Sequence, residues 1–367
     1  MKQIKSFTVR LVAGANIATV IAMLLIGYSD RVNPATHPLI ANLGLTFPIF
    51  LALNIAFLVF WLAVKKMMAL IPVAGLLLGF SPIRVYAPLN IAREAPEGSI
   101  KVMSYNIYNL STWRDPSEPC EILDYIDRER PDILCLEEAC APGWRKDHAD
   151  RRLDSIYAYS DESDGPVGGD PICIYSRYPI IAKDNIEYES RANNSAAFTL
   201  LTGERDTTVV IVNHFETTGL SPEDRSRFRA MMKGDIHRRD AERESRRLWH
   251  KLGEASAIRA PQADAVARYV ESLGKRSVIL VGDFNDSPIS YVRRRLASVL
   301  NDCYVATANG PGISYHYNAF YVRIDNIMCS DDWTPYECRV DNSIKASDHY
   351  PIVCLLKKKS DKDTANH

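Results

Sequence analysis

Val278-Ile279-Leu280-Val281-Gly282-Asp283-Phe284-Asn285-Asp286-Ser287-Pro288 is the stretch whose reading decides the fold. Residues 277–281 are apolar and β-branched, the pattern of a buried strand. Gly282 to Pro288 is turn chemistry, and it holds a carboxylate and an amide at the strand's mouth. The same arrangement recurs along the chain. A strand at 101–105 ends on Asn106, one at 133–136 ends on Glu137 and Glu138, and one at 208–213 presents His214. Asp325 opens a strand at 325–329, and Asp348-His349 stand just before a last strand at 352–356. Further strands are predicted at 172–175 and 196–201, with helices at 119–130, 222–249 and 263–273. Alone, each polar residue has a plain structural explanation: an amide in a turn, a charge beside Arg323, a histidine at a strand end. Clustered at six strand ends, they point to a metal-dependent phosphate site.

Length and composition bound the alternatives. A chain of 367 residues accommodates one large layered α/β domain and an appendage. The net charge of −1 offers no global basic field to attract nucleic acid. Of eight cysteines, Cys135, Cys173, Cys329 and Cys354 sit in apolar strand-like runs, and Cys120, Cys140, Cys303 and Cys338 in loop-like sequence. Without a CxxC, this spacing predicts mostly free thiols rather than a disulfide framework.

The first ninety residues read as a membrane anchor. Apolar runs cover about 11–28, 39–64 and 67–85, with Lys2, Lys5 and Arg10 before the first and Lys65-Lys66 after the second. The first run resembles a signal peptide, but no small-residue cleavage site precedes the next apolar block. The second is long enough to span about 30 Å of hydrocarbon. The third is short and spans if Arg84 snorkels. With three spans, the positive-inside rule puts the lysines in the cytoplasm and the rest of the chain outside it, the arrangement of a bacterial inner-membrane protein; with two spans, the large domain would be cytoplasmic. The expected organisation is an anchor at 1–90, a linker at 91–99, a catalytic domain at 100–359 and a polar tail at 360–367.

Tyr105-Asn106, Leu136-Glu137-Glu138, Ser176-Arg177-Tyr178-Pro179-Ile180, Asn213-His214, Gly282-Asp283-Phe284-Asn285, Arg323-Ile324-Asp325 and Ser347-Asp348-His349 follow one another in the order of a known family. The chain resembles the endonuclease/exonuclease/phosphatase (DNase I-like) superfamily over about residues 100–356. That resemblance implies a four-layer α/β sandwich of two packed mixed sheets flanked by helices, and metal-dependent hydrolysis of a phosphoester. It departs from the family at Glu137, where the usual residue is glutamine. Mg²⁺, with Mn²⁺ able to substitute, would be held by Glu138, with Asn106 as an oxygen ligand or holder of its water and Asp348 at a second edge. Asp283 would be the general base and Asn285 would fix the phosphate or the attacking water. His349, oriented by Asp325, and His214 would donate to phosphoryl oxygens. Arg177 and Tyr317 are the expected substrate contacts.

Residues 221–262 are rich in arginine, which reads either as a solvated helix laced with ion pairs or as a basic lip for phosphates or anionic lipid. The aromatic loop 315–321 would border the pocket. The leading expectation is a membrane-anchored phosphoesterase whose substrate is a phospholipid, sphingolipid or lipid-linked phosphate. An extracytoplasmic nuclease acting on DNA or RNA and a catalytically silent receptor or scaffold are the alternatives.

Overall fold

The protein is described from a computed structural model over residues 2–139, 143–163, 165, 169, 171–204, 206–233, 235 and 238–359. Cys140 and the tail at 360–367 lie outside the described residues.

The N-terminal apolar sequence folds into α1 (Lys2–Gly27), α2 (Pro38–Ala41), α3 (Phe47–Val64), α4 (Leu70–Leu78) and α5 (Phe80–Tyr86). These helices leave Ile17, Ile21, Leu53, Val59 and Leu62 exposed, an apolar belt larger than a water-facing surface normally carries. The helices containing α1 and α3 are each long and apolar enough to cross a membrane. Polar groups inside the bundle partner one another, because an unpaired amide in hydrocarbon is costly. Trp61 Nε1 donates to Asn16 Oδ1 (3.0 Å), Asn16 Nδ2 to Asn54 Oδ1 (3.3 Å), and Asn54 Nδ2 to the Phe50 carbonyl (2.8 Å). The third apolar run is not one straight helix. It bends by 65° between Leu78 and Phe80. Pro82 has no N–H to give the Leu78 carbonyl, which instead accepts from the Tyr28 hydroxyl at 2.8 Å.

Beyond the linker, β1 (Ile100–Asn106), β2 (Ile133–Glu137), β3 (Tyr159–Glu162) and β4 (Cys173–Ser176) form one six-stranded sheet with β11 (Trp333–Val340) and β12 (Ile352–Lys358). The second sheet has β5 (Ile180–Asn185), β6 (Ser195–Leu201), β7 (Thr207–His214), β8 (Ser277–Asp283), β9 (Asn301–Asp302) and β10 (Asp325–Cys329). Strand orders are β11-β12-β1-β2-β4-β3 and β5-β6-β7-β8-β10-β9. Each sheet is antiparallel except for one central parallel pair, β1/β2 and β7/β8.

Alternation along the strands supplies both faces of each sheet. Val102, Ile133, Phe198, Val210, Ile279 and Cys354 meet between the sheets. Met103 and Leu134 point outward under α6 (Glu121–Glu129) and α7 (Trp144–Asp154). Val209 and Leu280 lie under α9 (Arg238–Leu273) and α10 (Tyr291–Leu296). The result is a four-layer α/β sandwich. The seven described cysteines are buried and form no disulfide with one another, including Cys120, Cys303 and Cys338 from loop-like sequence.

Four strands escape the sequence reading, β3, β5, β11 and the two-residue β9, and all four are sheet edges. β3 and β5 are largely exposed and poor in apolar runs, and β11 is interrupted by Pro335. The helix predicted at 222–249 is two, α8 (Pro222–Lys233) and the start of α9. α9 continues through Pro261 because Ala260, Ala263, Val266 and Ala267 bury its face on the second sheet. That burial offsets a proline cost of about 3 kcal/mol. The arginine-rich segment is largely paired: Arg227 to Glu244, Arg243 to Asp240 and Arg247 to Asp224.

At the end of β8, Gly282 has φ +130°, and a Cβ there would overlap the Asn213 carbonyl of the neighbouring strand. Only glycine lets β8 run beside β7 to their shared end. Gly282→Ala is expected to destabilise the domain by at least about 2 kcal/mol. A thermal midpoint equal to wild type would contradict this packing.

Candidate active site

The parallel pairing sets the site. In each central pair the carboxyl ends stop together: Asn106 stands opposite Glu137, and His214 opposite Asp283. Asp325, the first residue of β10, pairs with Asp283 from the other side. The two sheets face each other, so these ends converge on one pocket.

Asn106 is fully buried and bridges the sheets. Its Nδ2 donates to Glu138 Oε1 (3.1 Å) and to Asp283 Oδ2 (3.3 Å), while its Oδ1 accepts from the Tyr108 N–H (3.1 Å). The amide nitrogen, rather than its oxygen, is therefore turned to the carboxylates. Ser347 Oγ, which sequence reasoning passed over, donates to the Asn106 carbonyl at 2.7 Å and locks the 347–349 turn against β1. Glu138 adopts φ +49° just past β2, which aims it into the pocket while Glu137 stays in the strand.

His349 and Asp325 form a buried dyad, Nδ1 to Oδ2 at 2.9 Å. His349 Nε2 lies 3.7 Å from Asp283 Oδ2, and His214 Nε2 lies 3.9 Å from both Asp283 Oδ2 and Glu138 Oε1. Neither ring nitrogen of His214 has a hydrogen-bond partner, although the residue is 1% exposed. Asp325 Oδ1 and Glu137 Oε2 are likewise unpartnered. Asn285, at φ +51°, donates its backbone N–H to Asp283 Oδ1 (2.7 Å) and one Nδ2 hydrogen to the Phe215 carbonyl (2.9 Å). Its second amide hydrogen is left for the pocket.

Burial pushes the Asp283 carboxyl up to about 6, although His349 pulls the other way. Burial also raises Asp348, with His349 opposing and Glu138 adding to the rise. For His349, burial opposes the charged ring, yet Asp325 and then Asp283 outweigh it and hold the group well above its ordinary value. Burial, reinforced by Asp325, raises Glu137 far above the usual carboxylate range despite the hydrogen bond from Ser104 Oγ at 2.8 Å. Burial thus disfavours the charged form of Glu137, which stands where the family has an uncharged glutamine.

The pocket is lined further by Tyr108, Thr217, Thr218, Leu220, Arg225, Tyr315, Phe320 and Asp348. Arg225 was legible only as one of many arginines. It donates to the Tyr315 hydroxyl at 2.7 Å and lies over the rings of Tyr315 and Tyr317. Tyr317 itself is 42% exposed at the outer edge of this group. Arg177 is a correction: it pairs with Asp132 at 3.0 Å, and its N–H bonds the Asp132 carbonyl beside Ile133, the opposite end of β2 from Glu137. A substrate at Glu138 does not reach it. The Ser-Arg-Tyr-Pro sequence turns β4 into β5 instead.

Asp283, Asp325 and His349 each place one ligand-type atom within 4.8 Å of the others. Glu138 and Asp348 add hard oxygen donors on the open side. Among the described residues, only histidine rings lie within ion-pair distance of Glu138 and Asp283. Concentrated carboxylate, with orphaned buried nitrogens and oxygens beside it, fits a divalent cation with oxygen preference.

Residues 103–349 match the sequence model of the endonuclease/exonuclease/phosphatase family, and the chain belongs to that family. Its members are generally phosphoester hydrolases and commonly use divalent metals. Residues 9–86 match a domain of unknown function. A comparison with curated proteins found no match. Among solved structures, the endonuclease/exonuclease/phosphatase from Beutenbergia cavernae is similar at 19% identity and TM-score 0.50, covering 71% of this chain and 72% of that one. D. rerio TDP2 complexed with single strand DNA product is similar at 14% identity and TM-score 0.50, covering 71% and 100%. These likenesses concern the fold.

Two outcomes are expected. Glu137→Gln keeps folding and activity within a few-fold, because burial already disfavours the charged carboxylate and glutamine has the same shape; loss of activity on the order of 10²-fold would show that the acid itself matters. Asp325→Asn removes the main influence holding the proton on His349, so the alkaline limb of kcat/KM moves to lower pH. An unmoved limb would separate the dyad from the reaction.

Proposed function

We propose that this protein is a membrane-anchored phosphodiesterase that hydrolyses a phospholipid, sphingolipid or lipid-linked phosphate with Mg²⁺, for which Mn²⁺ can substitute. The observation that carries the reading is the convergence of Glu138, Asp283, His214 and His349 at one pocket in a chain that begins with apolar helices.

Glu138 and Asp348 would hold the cation, with Asn106 fixing the Glu138 carboxylate from behind. When bound, the cation would neutralise phosphoryl oxygen and the departing alkoxide. The Asp283–Asp325–His349 cluster is the less suited cradle, since His349 Nδ1 is already engaged by Asp325 Oδ2 at 2.9 Å and the carboxylates around the ring raise its affinity for a proton, with which a cation there would compete. Asp283, anchored by Asn106 and by the Asn285 N–H, accepts the proton of the attacking water and aims it in line with the leaving oxygen. His349 donates from Nε2 to a phosphoryl oxygen while Asp325 fixes its Nδ1. His214 and the free Asn285 amide hydrogen supply further donors, and Arg225 and Tyr317 bracket the outer part of the substrate.

The anchor supports a non-cytoplasmic active site. α3 runs antiparallel to α1, since Asn54 meets Asn16 and Phe47 lies by Gly27. α4 then runs back along α1, Gly75 against Val20 and Pro82 against Gly27. Lys65-Lys66 and the N-terminus therefore share the end remote from the catalytic domain, and the positive-inside rule assigns that end to the cytoplasm. The pairing of Arg227, Arg243 and Arg247 weighs against a nucleic-acid groove on α8 and α9.

Purified protein should hydrolyse bis(4-nitrophenyl) phosphate with Mg²⁺ and lose that activity on chelation and in Glu138→Ala. Asp283→Ala should cost at least about 10²-fold; a rate within a few-fold of wild type would remove Asp283 from the mechanism. The base must be ionised to act and burial raises Asp283 to about 6, so the rate should fall as pH drops, with a midpoint no higher than about 6 because a neighbouring cation favours the ionised form. DNA cleavage with a steep salt dependence, and no lipid turnover, would point to the nuclease instead.

A further inference from the structure

The pocket does not end at the catalytic domain. Asn42 and Leu45, between α2 and α3, stand in its wall with Leu220, Leu252 and Arg259. That segment is held firmly. Trp249 Nε1 donates to the Leu39 carbonyl (3.1 Å), Gly253 lies against Pro38, Gly44 against Ile289, and Ser256 Oγ donates to Asn42 Oδ1 (3.1 Å). From Ser256 the polar contacts continue inward. Arg259, 1% exposed, donates from Nη2 to Ser256 Oγ (2.8 Å), from Nη1 to the Glu216 carbonyl (3.0 Å) and from Nε to Asp286 Oδ2 (3.4 Å). Asp286 belongs to the same turn as Asp283 and Asn285. A buried chain of hydrogen bonds thus joins the anchor to the turn that carries the candidate base.

The pocket is mixed in chemistry. The lining includes the acids and histidine Glu138, Asp283, Asp348 and His349 and the leucines Leu45, Leu220 and Leu252, and Leu45 and Leu252 belong to the segments that join the N-terminal helices to α9. Leu45 lies in the first third of Pro38–Val64, the stretch that has the length and apolarity of a membrane span. A molecule filling the pocket from Asp283 to Leu45 therefore reaches that stretch. We propose that the 42–45 segment of the anchor and Leu252 form the specificity wall for a long hydrocarbon chain, so that the substrate is a phosphodiester carrying such a chain and entering sideways from the bilayer. This rests on the phosphodiesterase reading above. The phosphorus sits at the carboxylates and the chain runs along the leucines into the lipid.

Two chromogenic diesters with the same leaving group test it: methyl 4-nitrophenyl phosphate and hexadecyl 4-nitrophenyl phosphate. In each, water forms the new P–O bond and the P–O(aryl) bond breaks to release 4-nitrophenolate. Full-length protein in detergent micelles with Mg²⁺ should favour the hexadecyl ester in kcat/KM by at least about 10-fold. Leu45→Trp crowds the leucine wall and Leu45→Asp charges it, so both should bring that ratio close to one. Leu252→Trp provides the same test from the catalytic domain should a Leu45 variant not fold. Leu62→Trp, at an exposed position of α3, should keep the ratio, which separates pocket binding from partition into the micelle. No preference in the wild type, or a preference unchanged in Leu45 and Leu252 variants, overturns the proposal while leaving the phosphodiesterase intact. Turnover of neither ester by folded protein overturns the phosphodiesterase reading itself.

Discussion

The register at the carboxyl ends of the two central strand pairs is the constraint on which the site depends. Parallel strands bring equivalent ends to the same edge, so Asn106 faces Glu137 and His214 faces Asp283 without any loop having to place them. Antiparallel pairing of β10 then returns Asp325 to Asp283. Packing the sheets face to face converts these two edges into one pocket. Gly282 is where the arrangement is tightest, since β7 and β8 approach there without room for a side chain.

Electrostatics follow from that geometry. Asp283, Asp325, Glu137 and His349 are all almost fully buried, and charged groups cannot share a low-dielectric space without compensation. Burial accordingly pushes Glu137 up and Asp283 up to about 6, while Asp325 and Asp283 raise His349 against the effect of its burial. Asn106, with two carboxylates on one amide nitrogen, ties Glu138 to Asp283 across the sheets. The groups are held in place before any substrate arrives, which is the arrangement that electrostatic catalysis requires.

The anchor is part of this construction. Arg323, fully buried beside Asp325, donates to the carbonyls of Val85, Tyr86 and Pro311 and so grips the end of α5. On the other side, Asn42 connects through Ser256 and Arg259 to Asp286. Two polar clamps, both reaching motif residues of the α/β domain, fix the N-terminal apolar helices relative to the pocket.

The sequence by itself determined the family, the layered α/β class, the apolar anchor and most of the pocket-floor residues. Central strands such as β8 are apolar on both faces, and their ends carry turn residues that announce themselves locally. Edge strands β3, β5 and β11 were illegible because half-exposed strands lack that signal. The third apolar run looked continuous because composition does not reveal where a proline leaves a carbonyl to be taken by Tyr28. Tertiary structure alone decided that Arg177 lies at the wrong end of its strand, that Asn106 turns its nitrogen to the acids, and that Asn42 and Leu45 reach the pocket. Each of these depends on contacts between residues far apart in the chain, and no local pattern encodes which ends, atoms or faces meet.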